Sequence, residues 1–279
     1  MSSESDDSLF VSCKWLREHL NDRSLIIADC RYNLADFELG RKEYLEGHIP
    51  GAYQIDMEKD LTGRITLHGG RHPLPDQDIF AKRMNSIGLN PEITVIAYDS
   101  DGSGAARFWW LLNYFGHSKV RIMNGGIVEW KSLGFELTTE IPPFRFGSFS
   151  PVVNKTILAS VEDVKSIKPT TTLIDSRTKV RYAGISEPID KIAGHIPGAV
   201  NYQYTDTVSE TGLFRNREEL LRMFRDIGRD VIVYCGSGVT ACVNFVALTE
   251  AGFKPKLYAG SWSDWISYKE NPISTGVSP

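Results

Sequence analysis

The sequence predicts a two-domain α/β protein, each domain a mainly parallel sheet with helices on both faces, and three observations carry that reading. The first is an internal repeat: Gly47-His48-Ile49-Pro50-Gly51-Ala52 recurs 147 residues later as Gly194-His195-Ile196-Pro197-Gly198-Ala199. Six identical residues in a row mark a duplication, and so long a period belongs to whole domains rather than to a solenoid. The second is an alternation of short β-branched runs with helical patterns, which implies crossover connections between parallel strands. The third is size and composition. A chain of 279 residues, 42% hydrophobic and 24% charged, can bury two ordinary cores.

In chain order, each half opens on an apolar strand ending in an acid and an arginine: Ile26-Ile27-Ala28-Asp29-Cys30-Arg31, then Leu173-Ile174-Asp175-Ser176-Arg177. The Gly-His-Ile-Pro-Gly-Ala turn follows, its glycines supplying unusual φ and its proline rigidity. A second strand pair is Val95-Ile96-Ala97-Tyr98 and Val231-Ile232-Val233-Tyr234. A third correspondence links Asn124-Gly125-Gly126-Ile127-Val128-Glu129-Trp130 to Ala259-Gly260-Ser261-Trp262-Ser263-Asp264-Trp265. Residues 217–226 and 240–251 read as amphipathic helices. Three prolines and little periodicity over 138–151 suggest the connection, giving an N-terminal domain over 8–139, a linker over 140–155 and a C-terminal domain over 156–275.

Several function classes are disfavoured. A net charge of −4 with scattered Lys and Arg offers no basic stripe for nucleic acid. No apolar run approaches the ~20 residues that span a bilayer. The first eight residues are polar and acidic, unlike a secretory signal or an Arg-rich transit peptide, and read as a frayed tail. Cys13, Cys30, Cys235 and Cys242 form no C-x-x-C pair and show no zinc spacing, so they read as free thiols in a reducing compartment, the cytoplasm.

The chemistry points to one place. In Val231-Ile232-Val233-Tyr234-Cys235-Gly236-Ser237-Gly238-Val239-Thr240-Ala241 a buried-type strand ends in a cysteine, and glycines let the backbone curl before a helix. Backbone amides and a helix N-terminus both favour negative charge, hence thiolate over thiol, and a thiolate in an anion-binding loop is a nucleophile. The first half carries Asp99 at the matching position, so only the second can perform thiolate chemistry. Cysteine phosphatases need an arginine six residues after the cysteine; Ala241 stands there, which argues against that chemistry. His48 and His195 read as turn-shaping residues because their motif recurs in the half lacking a nucleophile. Cys13, Cys30 and Cys242 read as packing residues, Arg31 and Arg177 as partners of buried polar groups in their own repeats, and the tryptophans as core.

The duplicated Gly-His-Ile-Pro-Gly-Ala signature, the C-terminal cysteine loop and the final Gly-Ser-Trp-Ser-Asp-Trp together resemble the two-domain rhodanese-type sulfurtransferases, over nearly the whole chain. Thiosulfate sulfurtransferases of that family typically carry C-R-K-G-V-T in the loop, and 3-mercaptopyruvate sulfurtransferases C-G-S-G-V-T. Cys235-Gly236-Ser237-Gly238-Val239-Thr240 is similar to the second. The resemblance implies that Cys235 becomes a persulfide, that the loop amides of Gly236, Ser237, Gly238, Val239, Thr240 and Ala241 hold the anionic sulfur, and that Ser237 assists proton transfer. It further implies that Arg181 binds the donor's carboxylate, and that Asp60 and His72 face the site from the N-terminal domain. Arg181 also has a plain alternative, an ion pair with Glu187 or Asp190. One departure stands out: the family often has a second arginine between the Glu-Pro dipeptide and the second turn motif, whereas 187–193 here holds only Lys191 as a cation, more like the thiosulfate group. The expected donor is the small molecule 3-mercaptopyruvate and the expected acceptor a thiol, a thioredoxin-like protein or cyanide. No metal or cofactor is expected, because the loop supplies the electrostatics. The alternatives are a thiosulfate:cyanide sulfurtransferase and, from another class, a non-catalytic sulfur-carrier or regulatory module.

Overall fold

The computed structural model describes residues 8–209 and 212–277; the polar N-terminal stretch singled out above lies, except for Ser8, outside them. Among the described residues two five-stranded sheets are present, and every strand pairing within them is parallel. The chain divides into two compact units. Of the described residues, the first comprises 8–63, Pro75–Asn154 and 212–213; the second comprises Arg64–Leu74, Lys155–Ser209 and 214–277. Residues 64–74 thus belong to the second unit although the first surrounds them in sequence.

In the first unit β1 (Phe10–Val11), β2 (Leu25–Asp29), β3 (Ala52–Gln54), β4 (Thr94–Tyr98) and β5 (Val120–Met123) are ordered β1-β5-β4-β2-β3. The helices are α1 (Cys13–Glu18), α2 (Leu39–Glu46), α3 (Gln77–Ser86), α4 (Ser103–Tyr114) and α5 (Gly126–Ser132). Strand alternation sorts them. Ile27, Ile96 and Tyr98 share a cluster with Leu16 of α1 and with Ile127 and Trp130 of α5, while α4 packs against β4 and β5.

The second unit repeats the plan: β6 (Leu158–Ala159), β7 (Thr171–Asp175), β8 (Val200–Asn201), β9 (Asp230–Tyr234) and β10 (Lys256–Tyr258) are ordered β6-β10-β9-β7-β8. Its helices are α6 (Val161–Lys165), α7 (Lys179–Tyr182), α8 (Arg217–Met223), α9 (Ala241–Glu250) and α10 (Ser261–Trp265). Capping boxes start α6 (Ser160 with Asp163) and α8 (Asn216 with Glu219) where the sequence puts a polar residue before a helical run. Residues 240–251 do not form the amphipathic helix that the pattern suggests. In α9 every residue from Ala241 to Leu248 is buried, because the helix is covered by β9 and β10, by α8 and by the 204–207 turn.

The duplication extends to side-chain detail. Arg31 is bidentate to Asp29 (Nη2–Oδ2 2.6 Å) and donates to the Gly47 carbonyl at 2.9 Å. Arg177 does the same with Asp175 (2.6 Å) and Gly194 (2.6 Å). Tyr98 and Tyr234 pair across the ladder with Asp29 and Asp175, and each hydroxyl accepts the N–H of the isoleucine in its turn motif, Ile49 and Ile196, at 3.1 Å. The recurring acid, arginine, tyrosine and turn motif are therefore one buried polar network made twice. His48 and His195 sit within it, buried, each stacked on a tyrosine (Tyr44, Tyr182) at 3.9 Å and bonded through Nδ1 to that tyrosine's carbonyl. Their place is structural.

Candidate active site

Strand β9 ends at Tyr234, and Cys235 begins the connection to α9 at the carboxyl edge of the sheet, where open α/β sheets bind ligands. The first turn of α10 clamps this connection. Cys235 donates its N–H to Ser261 Oγ (3.1 Å), which itself donates to the Tyr258 carbonyl (2.9 Å). Trp262 and Ser263 donate their N–H groups to the carbonyls of Cys235 and Gly236 at 3.0 and 2.9 Å. Ser261 sits at φ 57°, the one non-glycine residue with positive φ among those described. Its counterpart in the first half, Gly126, has φ 54°. The serine accepts a conformation that glycine takes freely, and in exchange it satisfies the buried amide of Cys235.

The connection curls over the sulfur. Gly238 N–H points at Cys235 Sγ at 3.2 Å, with Gly238 at φ +80° and so close to Ala259 that a Cβ would lie 2.2 Å from its carbonyl oxygen. Only glycine fits there. Cys242, from the first turn of α9, donates its thiol to the Gly238 carbonyl at 3.3 Å. Cys235, Cys242, Cys13 and Cys30 are all free and buried. Burial pushes the Cys13 thiol up to about 12, and burial reinforced by Asp99 and Asp29 raises the Cys30 thiol well above its ordinary value, so neither is poised for thiolate chemistry.

Two guanidinium groups converge beside Gly236, the residue after the cysteine. A Cβ on Gly236 would lie 2.9 Å from Arg71 Nη2 and 3.2 Å from Arg181 Nη2. Arg181 also pairs with Glu187 (2.8 Å) and Asp190 (3.0 Å), whose side chains are 2% exposed. The ion pair expected as the plain alternative is therefore present, and it holds the guanidinium at the loop. Asp190 bridges onward to Arg71 through two bonds, Nε–Oδ1 3.0 Å and Nη2–Oδ2 3.2 Å. Glu187 reaches Arg177 at 3.2 Å, which joins this cluster to the Asp175–Arg177 network. Burial pushes the Glu187 carboxyl up, but Arg181 and the amides of Asp190 and Ile189 outweigh it and hold it below its ordinary value. Burial prevails at Asp190, whose carboxyl is raised despite Arg71 and Arg181.

Segment 64–74 carries Arg71 and His72. His68 bonds Ser267 Oγ at 2.7 Å and stacks on Tyr268 at 4.0 Å. Gly69 N–H donates to Asp264 at 2.7 Å and Arg71 N–H to Ser263 Oγ at 3.1 Å. Thus fixed, the segment sets His72 Nδ1 2.7 Å from Ser237 Oγ, both residues being buried. Cys235, Ser237, Arg181 and His72 are brought together in one unit. Asp60 is in the other unit, where it accepts from Arg83 Nε (3.1 Å) and the Asp56 N–H (2.9 Å), and burial raises its carboxyl. Sequence reasoning missed Arg71, although it lies beside His72 in the same Gly-Gly-Arg-His-Pro stretch.

The first half shows what stands at the position of Cys235. The Asp99 carboxyl accepts N–H bonds from Gly102 (2.6 Å) and Ala105 (2.9 Å), so a side chain of the protein fills that cradle. Gly102 stands three residues after Asp99, as Gly238 does after Cys235.

Residues 12–133 and 160–268 each match the family model described as a rhodanese-like domain. The chain belongs to the rhodanese family and carries its domain twice. It is 40% identical, over 95% of its length and 98% of the other's, to a Pseudomonas aeruginosa protein named "Probable 3-mercaptopyruvate sulfurtransferase". It is 32% identical to a thiosulfate sulfurtransferase of Rattus norvegicus over 96% of its length and 94% of the relative's. Among solved structures, a 3-mercaptopyruvate sulfotransferase of Escherichia coli superposes with a TM-score of 0.80 at 35% identity, covering 92% of this chain and 99% of that one.

Proposed function

We propose that the protein is a sulfurtransferase that takes sulfur from 3-mercaptopyruvate onto Cys235 and passes it to a thiol, a thioredoxin-like protein or cyanide. The observation that carries this reading is the convergence of Arg71 and Arg181 beside Gly236, adjoining a thiol seated on the Gly238 amide. A paired guanidinium site suits a carboxylate, and the carboxylate of a short 2-oxo acid bound there leaves its methylene sulfur to reach Cys235. The Cys235 thiolate attacks the donor sulfur. The carbon–sulfur bond breaks with its electron pair going to the methylene carbon, and Cys235 is left as Cys–S–SH. The enolate released takes a proton and becomes pyruvate; Ser237, sharing a hydrogen bond with His72, is the group positioned to relay it. In the second half-reaction the acceptor attacks the outer sulfur and the thiolate is regenerated, a double-displacement scheme that gives ping-pong kinetics. Relatives named 3-mercaptopyruvate sulfurtransferase support the donor assignment, as does a loop with Gly236 and Ser237 where thiosulfate enzymes carry basic residues.

Thiosulfate as donor is the second reading, favoured by the 32% identical thiosulfate sulfurtransferase and by the short 187–193 segment. Measuring kcat/KM for both donors on one preparation decides between them. A larger value for 3-mercaptopyruvate is expected, and a larger one for thiosulfate would overturn the donor assignment. Four free thiols fit a reducing compartment, and no described helix is long and apolar enough to cross a membrane.

A further inference from the structure

We propose that Asp190 sets the donor's charge: its carboxylate, bridging Arg71 and Arg181, disfavours dianionic sulfur donors relative to monoanionic ones. The inference rests on the sulfurtransferase reading above. It starts from the cluster around Gly236, in which Arg71, Arg177 and Arg181 are bonded to Asp175, Glu187 and Asp190. Three cations face three anions, so the two guanidiniums beside the loop offer shape and hydrogen bonds with little uncompensated charge. Asp190 is the acid common to both guanidiniums that flank Gly236, and its side chain is 2% exposed, so solvent screens it weakly. It also lies in the 187–193 segment where the family resemblance leads one to expect a second arginine. Here that segment supplies an anion, and the second guanidinium comes from Arg71.

A fixed negative charge repels a bound donor in proportion to the donor's own charge. 3-Mercaptopyruvate enters with one carboxylate, thiosulfate with two negative charges, so the repulsion from Asp190 counts twice against thiosulfate. Neutralising the residue therefore favours both donors, and the factor for the dianion is the square of the factor for the monoanion. A residue that only held the two arginines in place would, on removal, slow both donors by a similar factor.

The test compares donors within one preparation, which makes the result independent of the fraction of correctly folded enzyme. In Asp190→Asn, kcat/KM is expected to rise about threefold for 3-mercaptopyruvate and about tenfold for thiosulfate. In Arg71→Gln the ratio is expected to move the opposite way, with thiosulfate losing more. This second variant decides the matter if the first does not fold. A donor ratio unchanged in Asp190→Asn, or in Arg71→Gln where the first variant gives no folded enzyme, overturns the proposal. Failure of the unmodified protein to transfer sulfur from either donor through Cys235 would instead overturn the reading on which it rests.

Discussion

Cys235 Sγ accepts the Gly238 amide and its own N–H is taken by Ser261, while Arg71 and Arg181 lie beside Gly236. Ser237 and His72 share a 2.7 Å hydrogen bond, and in the proposed mechanism they relay one proton between them. Ser237→Ala and His72→Ala are each expected to lower kcat by roughly 10²–10⁴, the usual range for a positioned acid or base, and the double variant by no more than the worse single one. Steady-state kinetics on the three variants checks this; multiplicative losses would contradict a shared proton path. Cys235 was legible from the strand, glycines and helix around it, and Ser237 and Arg181 through the family resemblance of their local motifs; the structure brings the three together. Arg71 was not legible, since the acid that fixes it, Asp190, is 119 residues further along the chain. No local pattern encodes such a contact.

At the level of the element, the loop between β9 and α9 is held by the turn that starts α10. Ser261→Ala removes the acceptor of the buried Cys235 amide while keeping a Cβ at positive φ. A loss of about 1–3 kcal/mol of stability is expected from the unsatisfied N–H. Urea unfolding of the variant measures it, and an unchanged midpoint would contradict the clamp. Strands were readable from their β-branched runs, and capped helices such as α8 from Asn216 and Glu219. Helix α9 misled the pattern, because a helix covered on several sides has no polar face to create a period. The assignment of 64–74 to the second unit was equally hidden: it depends on bonds from Gly69, Arg71 and His72 to residues more than 160 positions away.

Over the whole molecule, duplication explains the architecture, and on the proposed reading the divergence of one residue, Asp99 against Cys235, confines the chemistry to the second half. The same buried network recurs in both units, so Asp29→Asn and Asp175→Asn should each cost about 3–5 kcal/mol by leaving a buried arginine short of its partner. Calorimetry on the two variants tests this, and a negligible loss in either would contradict the equivalence. The Asp99 cradle makes a pH prediction. Burial, reinforced by Asp101, pushes the Asp99 carboxyl up to about 7 against the pull of the Ala105 and Gly102 amides. Between about pH 4 and about pH 7 the native protein therefore keeps a proton that the unfolded chain has released, so this contribution to stability falls as pH rises through that window and is level above it. The stability of the unmodified protein relative to Asp99→Asn should decline over the same range; a difference that grows with pH would contradict the assignment. Since the first half carries an acid where the second carries a thiol, one sulfur per chain is the central expectation. Intact-mass measurement after mixing with 3-mercaptopyruvate tests it most directly. A gain of one sulfur, about 32 Da, located on the peptide bearing Cys235 and absent from Cys235→Ser is predicted. A gain that survives that substitution, or that maps to Cys13, Cys30 or Cys242, would contradict the account.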